Sequence, residues 1–258
     1  MLVVIMGLIR YFMASIPKSQ MVGFQATNAE AVEKEEHGTG FFEGIYLLLT
    51  SPYLMGIAAI ITAYEVIVTI LDFNFKTMVE DAFPIATDRA AYLGWFGASV
   101  GLVSMISILM GINKIQKWLG LGASLALLPI VIAGTVLSFY FHPFLGMLYW
   151  IMVFSKAINY ALNQPTMKQL YIPTSTQAKY KSQAFIEMYG SRGAKALGSS
   201  VNTFRGKFIK TMGAIDGLRW FILLSTYVSV GIIAVWFLIA LYLGRTYRKA
   251  VDAKKVIV

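Results

Sequence analysis

The chain has 258 residues, of which 57% are hydrophobic and only 14% are charged, and its net charge is +9. Its mean hydropathy of +0.66 lies well above that of soluble domains, in which about half of the residues are apolar. The composition therefore excludes a soluble globular domain and indicates a polytopic membrane protein. The lack of cysteine and the presence of only two histidines exclude disulfides, thiolate ligands and a histidine-rich metal site. The positive charge suits loops that face anionic lipid and does not call for nucleic acid.

The N-terminal region predicts an anchor and a linker before the first complete membrane span. Residues 1–16 are apolar but fall short of the roughly 20 residues that a membrane helix needs. They predict either the last part of a membrane helix or a short interfacial anchor, and they do not resemble a cleavable signal peptide. Residues 17–53 predict a cytoplasmic linker that ends in an amphipathic helix from about Phe41, which we expect to lie on the membrane surface.

Residues 54–244 predict a six-helix bundle. Five apolar stretches of membrane-spanning length lie at about 54–72, 91–111, 119–141, 144–162 and 218–243. A sixth, less apolar helix is predicted at about 183–204. Because it is rich in glycine and serine, we expect it to be buried inside the bundle and not to face lipid.

The charges between the spans predict the orientation. Lysine and arginine are more numerous on the side of the linker and of the basic tail at 245–258 than on the opposite side. By the positive-inside rule, the C-terminus is expected to lie in the cytoplasm.

Several ionisable residues fall inside the predicted spans. Glu187, Arg192 and Lys195 lie on the sixth helix, and Lys156 lies about six residues from the end of its span. Charges in a bilayer are costly and commonly mark the path of a charged solute, so they favour a carrier. No phosphate-binding glycine loop, catalytic pair or cofactor motif is present, so an enzyme is not expected.

Three blocks of sequence carry a resemblance to a known family. The first reads Tyr160-Ala161-Leu162, then Pro165-Thr166 and Tyr171-Ile172-Pro173. The second reads Lys179, Lys181, Ile186-Glu187, Gly190-Ser191-Arg192, Lys195 and Gly198-Ser199. The third is Tyr64, Asp72 and Lys76 in the first complete span. Together they resemble the ATP/ADP translocases, the nucleotide transporters of obligate intracellular bacteria and plastids.

The chain departs from the family pattern at a few positions. Asp72 stands where the family has glutamate, Met167 and Lys168 replace a Lys-Glu pair, and Ala194 stands where the family has glycine. These changes leave the exact substrate open.

The resemblance implies an all-α, major-facilitator-like fold of twelve helices in two halves, of which this chain would be the C-terminal half. Residues 1–15 would then be the end of the sixth helix of the whole protein, and the partner would be an N-terminal six-helix half or a second copy. It further implies a multi-pass protein of the bacterial cytoplasmic membrane that exchanges ATP for ADP or imports nucleotides with protons. No cofactor is expected.

Five residues are candidates for binding the substrate: Lys195, Arg192, Lys156, Asn159 and Lys76. Lys156 is expected to face a central cavity together with Asn159 and Asn163, and the phosphates are expected to contact Lys195, Arg192 and Lys156. Arginine offers a planar fork to phosphate and lysine offers a point charge. The structural alternatives are that Arg192 pairs with Glu187 or a neighbouring acid, and that Lys156 pairs with an acid of the first complete span.

Three acidic residues are candidates for coupling or gating: Asp72, Glu65 and Glu187. Asp72 either pairs with Lys76, four residues away, or exchanges partners between two states of the carrier. Glu65 is either a proton-coupling carboxylate or a buried partner of Lys156. Two other functions stay open: a proton-coupled carrier of another organic anion, and a membrane anchor or sensor that transports nothing.

Overall fold

The computed structural model describes residues 41–110, 118–253 and 257. The predicted anchor at 1–16 and residues 17–40 of the linker lie outside the described residues. The described part of the chain is helical and contains no strand.

The described part of the chain forms a series of helices. In chain order they are α1 (Phe41–Thr50), α2 (Pro52–Ala82), α3 (Ala86–Leu109), α4 (Leu121–Phe141), α5 (Leu145–Gln169), α6 (Thr176–Phe185, Ile186–Gly190 and Ser191–Met212 in succession) and α7 (Ala214–Asp252). Two of them contain a turn of π-helix, at Asn159–Asn163 in α5 and at Ile186–Gly190 in α6.

Five of the described helices are long and apolar enough to cross a membrane: α2, α3, α4, α5 and α7. This confirms the prediction of an all-α integral membrane protein with five apolar spans and a sixth, less apolar helix. The predicted spans at 54–72 and 218–243 are the apolar parts of longer helices. Helix α7 also includes the first residues of the predicted basic tail, since it continues to Asp252.

Helix α2 forms the centre of the bundle. Its start is set by the side chain of Ser51, which accepts a hydrogen bond from the Leu54 amide, and by Pro52 in the first turn. One face of the helix is buried along its length, through Ile57, Ile67 and Phe75 among others. It packs on α6 and α7. The polar residues of α2 are therefore held at fixed positions between its neighbours.

Small residues let two pairs of helices approach closely. A Cβ atom added at Gly198 of α6 would lie 2.8 Å from the Val66 carbonyl oxygen of α2. A Cβ atom added at Gly244 of α7 would lie 2.6 Å from the Cα atom of Gly122 of α4. In both pairs the backbones are in direct contact, as is common between membrane helices.

The expectation that α6 is buried in the bundle is wrong for this chain by itself. In the segment Ser191–Met212 only Ala194, Gly198 and Asn202 are buried, and they lie on one stripe of the helix. Much of the rest of that segment, including Lys195 and Ser199, is exposed. Small residues bring one face of α6 against α2, but a single six-helix bundle offers nothing to cover the other face.

Alanine at Gly244 is expected to lower the free energy of unfolding by about 1–3 kcal/mol, because the new methyl group overpacks the contact with Gly122. The measurement is chemical unfolding of the purified protein in detergent micelles. Alanine at Gly231 of the same helix is the matched control, since an added Cβ there has no neighbour within 4 Å. Equal losses for the two variants would contradict the close-contact explanation.

Candidate functional site

Helices α2, α5 and α6 surround a polar cavity of about 450 Å³, here called the central cavity. Its wall contains six of the predicted site residues: Glu65, Asp72, Lys76, Lys156, Asn159 and Lys195. The three from α2 are spaced seven and four residues apart, so they share one face of the helix. The cavity thus brings together three lysines and two carboxylates from three different helices.

Lys156 of α5 forms an ion pair with Asp72 of α2. Its Nζ atom lies 2.9 Å from Oδ1 and 3.1 Å from Oδ2 of Asp72. The lysine side chain is 19% exposed and the aspartate side chain 30%, so both charges are largely withdrawn from solvent. The structural alternative for Lys156, pairing with an acid of the first span, is therefore what the structure shows. The suggested pairing of Asp72 with Lys76 is wrong, because the carboxylate reaches across to α5.

Lys195 of α6 lies near Glu65 of α2. The distance from Lys195 Nζ to Glu65 Oε2 is 3.7 Å, and the Ser191 hydroxyl donates a hydrogen bond of 3.2 Å to Oε1 of the same glutamate. The Lys195 side chain is 59% exposed. Because the contact is long and the lysine is accessible, this pair contributes little to stability and leaves the ammonium group available to a ligand. Glu65 is thus the partner of Lys195 and not of Lys156.

Glu187 and Arg192 are not paired with each other. The Glu187 carboxylate accepts hydrogen bonds of 3.0 Å from Lys168 and 2.8 Å from Gln183. The suggested Arg192–Glu187 pair is therefore wrong. Arg192 is exposed, does not line the central cavity and has no ion-pair partner among the described residues.

A second cavity of about 310 Å³ adjoins the first and is here called the amide cavity. Both cavities have Tyr64, Glu65, Asn159 and Gln164 in their walls. The two π-turns contribute to the amide cavity, Asn159 and Asn163 from one and Glu187 from the other. Turns of this kind are frequent at functional sites. Asn163 donates a hydrogen bond of 2.9 Å to Oδ1 of Asn159.

Several polar residues of these walls were not among the candidate binding or gating residues, among them Asn163, Tyr171 and Ser191. The spacing of Asn163, four residues after Asn159, was the available signal for that residue, because residues so spaced share a helix face. For Tyr171 and Ser191 the signal was their position in the first two sequence blocks that resemble the family.

A bundle of membrane helices around a cavity lined by charged side chains is the architecture of a membrane carrier. A sequence model of the family described as TLC ATP/ADP transporter matches residues 1–147 and 143–247. The chain belongs to this family.

The individual relatives that the chain matches are named as ADP,ATP carriers. The chain is 27% identical to ADP,ATP carrier protein 1 of Chlamydia trachomatis over 83% of its own length. It is 25% identical to ADP,ATP carrier protein 3 of Rickettsia bellii over 80% of its length, and 24% identical to the chloroplastic ADP,ATP carrier protein 2 of Arabidopsis thaliana over 76%. These relatives are named as carriers and not as enzymes.

The chain spans only part of the relatives that it matches. The alignments cover 43% of the Chlamydia and Rickettsia proteins and 34% of the Arabidopsis protein. No solved structure matches the chain significantly.

Proposed function

We propose that the chain forms the C-terminal half of a carrier that exchanges ATP for ADP by alternating access, with the nucleotide phosphates held in the central cavity. The observation that carries this proposal is the meeting of Lys76, Lys156 and Lys195 in one cavity of a chain that belongs to the TLC ATP/ADP transporter family. No bond is made or broken in such a cycle. The protein supplies cations, a water-filled space and two alternative arrangements of its helices.

The lysines are the groups that bind phosphate. Lys195 is the more accessible of the two paired lysines in the central cavity, and Lys76 is exposed and has no ion-pair partner among the described residues. A polyphosphate carries several negative charges and competes with Glu65 for the Lys195 ammonium group. Arg192 is placed outside the cavity in this arrangement and contributes once the second half of the carrier closes over α6. Asn159 supplies a neutral amide between the two cavities.

The carboxylates have the role of gates. In the arrangement described here Asp72 holds Lys156 and Glu65 holds Lys195, which leaves Lys76 as the unbalanced positive charge of the central cavity. A phosphate that takes over a lysine frees its carboxylate to find another partner. Exchange of partners of similar strength gives a carrier two states of similar free energy. Glu187, paired with Lys168 at the end of α5, links α6 to α5 in the wall of the adjoining amide cavity.

The exposed polar face of α6 supports the proposal that this chain is one half of a carrier. Lys195 and Ser199 on this face would otherwise meet lipid, where polar groups without partners are costly. A second six-helix half, or a second copy of this chain, covers that face and completes the cavity. The C-terminus lies in the cytoplasm, and the membrane is the bacterial cytoplasmic membrane.

The test is uptake of labelled ATP by liposomes that contain the full protein of which this chain is part. Uptake is expected to require ADP inside the liposomes and to stop when internal nucleotide is absent. Uptake that depends on a pH gradient instead would favour the proton-coupled anion carrier, with Glu65 or Asp72 as the proton-binding group. No uptake of any nucleotide would favour the anchor or sensor.

A further inference from the structure

Two buried polar atoms in the wall of the amide cavity have no hydrogen-bond partner among the described residues. They are the side-chain oxygen of Asn163 and the phenolic oxygen of Tyr171. Asn163 is only 6% exposed and Tyr171 only 3%. Leaving a buried donor or acceptor unpaired costs free energy, so such groups are rare in folded proteins. Two of them in one cavity indicate a polar ligand.

The two atoms differ in hydrogen-bonding character. The amide nitrogen of Asn163 already donates to Asn159, so its oxygen is left as an acceptor. Tyr171 lies in the loop between α5 and α6, where burial raises its pKa above the ordinary value and the Glu187 carboxylate adds to the effect. The phenol therefore stays protonated and acts as a donor. The two side chains thus supply one acceptor and one donor in the wall of the amide cavity. Both atoms are fully buried, so a ligand reaches them only when the wall shifts.

The net formal charges of the residues that line the two cavities differ in sign. Three lysines and two carboxylates line the central cavity, whereas one lysine and two carboxylates line the amide cavity. Phosphates are therefore favoured in the central cavity and disfavoured in the amide cavity, which suits a neutral group. Because the cavities share part of their walls, one molecule with an anionic end and a neutral end can occupy both. The volume of about 310 Å³ is near the lower limit for whole-ligand pockets, and it suits a single heterocycle.

We propose that the amide cavity holds the nucleobase of the transported nucleotide, with Asn163 accepting a hydrogen bond from the base and Tyr171 donating one to it. This inference rests on the proposed function. A base edge with an N–H donor beside an unprotonated ring nitrogen can form both hydrogen bonds. Adenine has this pattern, with its 6-amino group beside N1 or N7. Asn163 and Tyr171 are then the residues that make the site prefer a nucleotide over other polyphosphates.

The experiment compares two ligands of the full protein in nanodiscs, ATP and inorganic tripolyphosphate, by competition against labelled ATP. Tripolyphosphate carries the phosphates without a base. The variants are Tyr171→Phe, which removes only the hydroxyl group, and Asn163→Leu. Each is expected to weaken ATP binding about tenfold, the typical effect of losing a buried hydrogen bond, and to leave tripolyphosphate binding unchanged. A triphosphate of unsubstituted purine, which lacks the amino group, should bind equally to the unmodified protein and to Asn163→Leu.

The matched control is Tyr53→Phe. The Tyr53 hydroxyl is also buried nearby, but it donates to the Leu170 carbonyl oxygen and does not line the amide cavity. This variant should keep the ratio of ATP to tripolyphosphate affinity. If Tyr171→Phe and Asn163→Leu leave ATP binding unchanged, or weaken both ligands equally, the base is not bound here. If the unmodified protein binds neither ligand, the proposed function itself is wrong, and this inference falls with it.

Discussion

Replacing Lys195 by alanine is expected to lower ATP/ADP exchange by about ten- to a hundredfold. A charge-assisted hydrogen bond to phosphate is worth about 1.5–3 kcal/mol, and each 1.4 kcal/mol corresponds to about a factor of ten. The loss of the ammonium group also leaves the Glu65 carboxylate without its ion-pair partner in the central cavity, where it repels the incoming phosphates. The measurement is the initial rate of labelled ATP uptake by ADP-loaded liposomes, normalised to the amount of folded protein.

The matched control for this variant is Lys210→Ala. Lys210 lies in the last turn of the same helix, is exposed and does not line either cavity, so exchange should stay near the unmodified rate. Lys195→Arg should retain part of the activity, because it keeps the charge while changing the geometry. If repulsion by Glu65 is part of the defect, adding Glu65→Gln to Lys195→Ala should restore some exchange. Equal rates for Lys195→Ala and Lys210→Ala would remove Lys195 from the site.

The second large effect is expected at the ion pair between Lys156 and Asp72. Changing Asp72 to asparagine leaves a mostly buried ammonium group without its carboxylate, which should lower the free energy of unfolding by about 1–3 kcal/mol. The double variant Asp72→Asn, Lys156→Met should recover most of that loss, since no buried charge is left unpaired. Its exchange activity should nevertheless stay low, because one of the three lysines proposed to bind phosphate is gone. Chemical unfolding and liposome uptake of the same preparations separate the two effects.

The exposed ion pair between Lys168 and Glu187 provides the comparison. Both of its side chains are more than half exposed, so Lys168→Met should change stability by less than about 1 kcal/mol. A larger loss for Lys168→Met than for Asp72→Asn would show that burial does not set the strength of these pairs. Failure of the double variant to regain stability would show that the Asp72 side chain has a structural role beyond pairing with Lys156.

The class of protein and its main elements could be predicted from the sequence because they depend on local properties. Apolar runs of sufficient length predict membrane helices wherever they occur, and all five were found. The glycines and serines of α6 predict close packing, which Gly198 shows against α2. Most of the candidate site residues also came together in one cavity, because an ionisable group on a membrane helix is turned toward the polar interior of the bundle.

The partner of each charge was decided only by the tertiary structure. Within one helix, the spacing of Asp72 and Lys76 suggested a pair, yet Asp72 reaches Lys156 on another helix. Distances between side chains of different helices depend on the relative register of those helices. Close contacts such as that of Gly198 with Val66 set this register, and no local sequence pattern encodes it. The same holds for the amide cavity. Its two π-turns have no signature in the sequence, and its unpaired atoms on Asn163 and Tyr171 become visible only when α2, α5 and α6 are packed together.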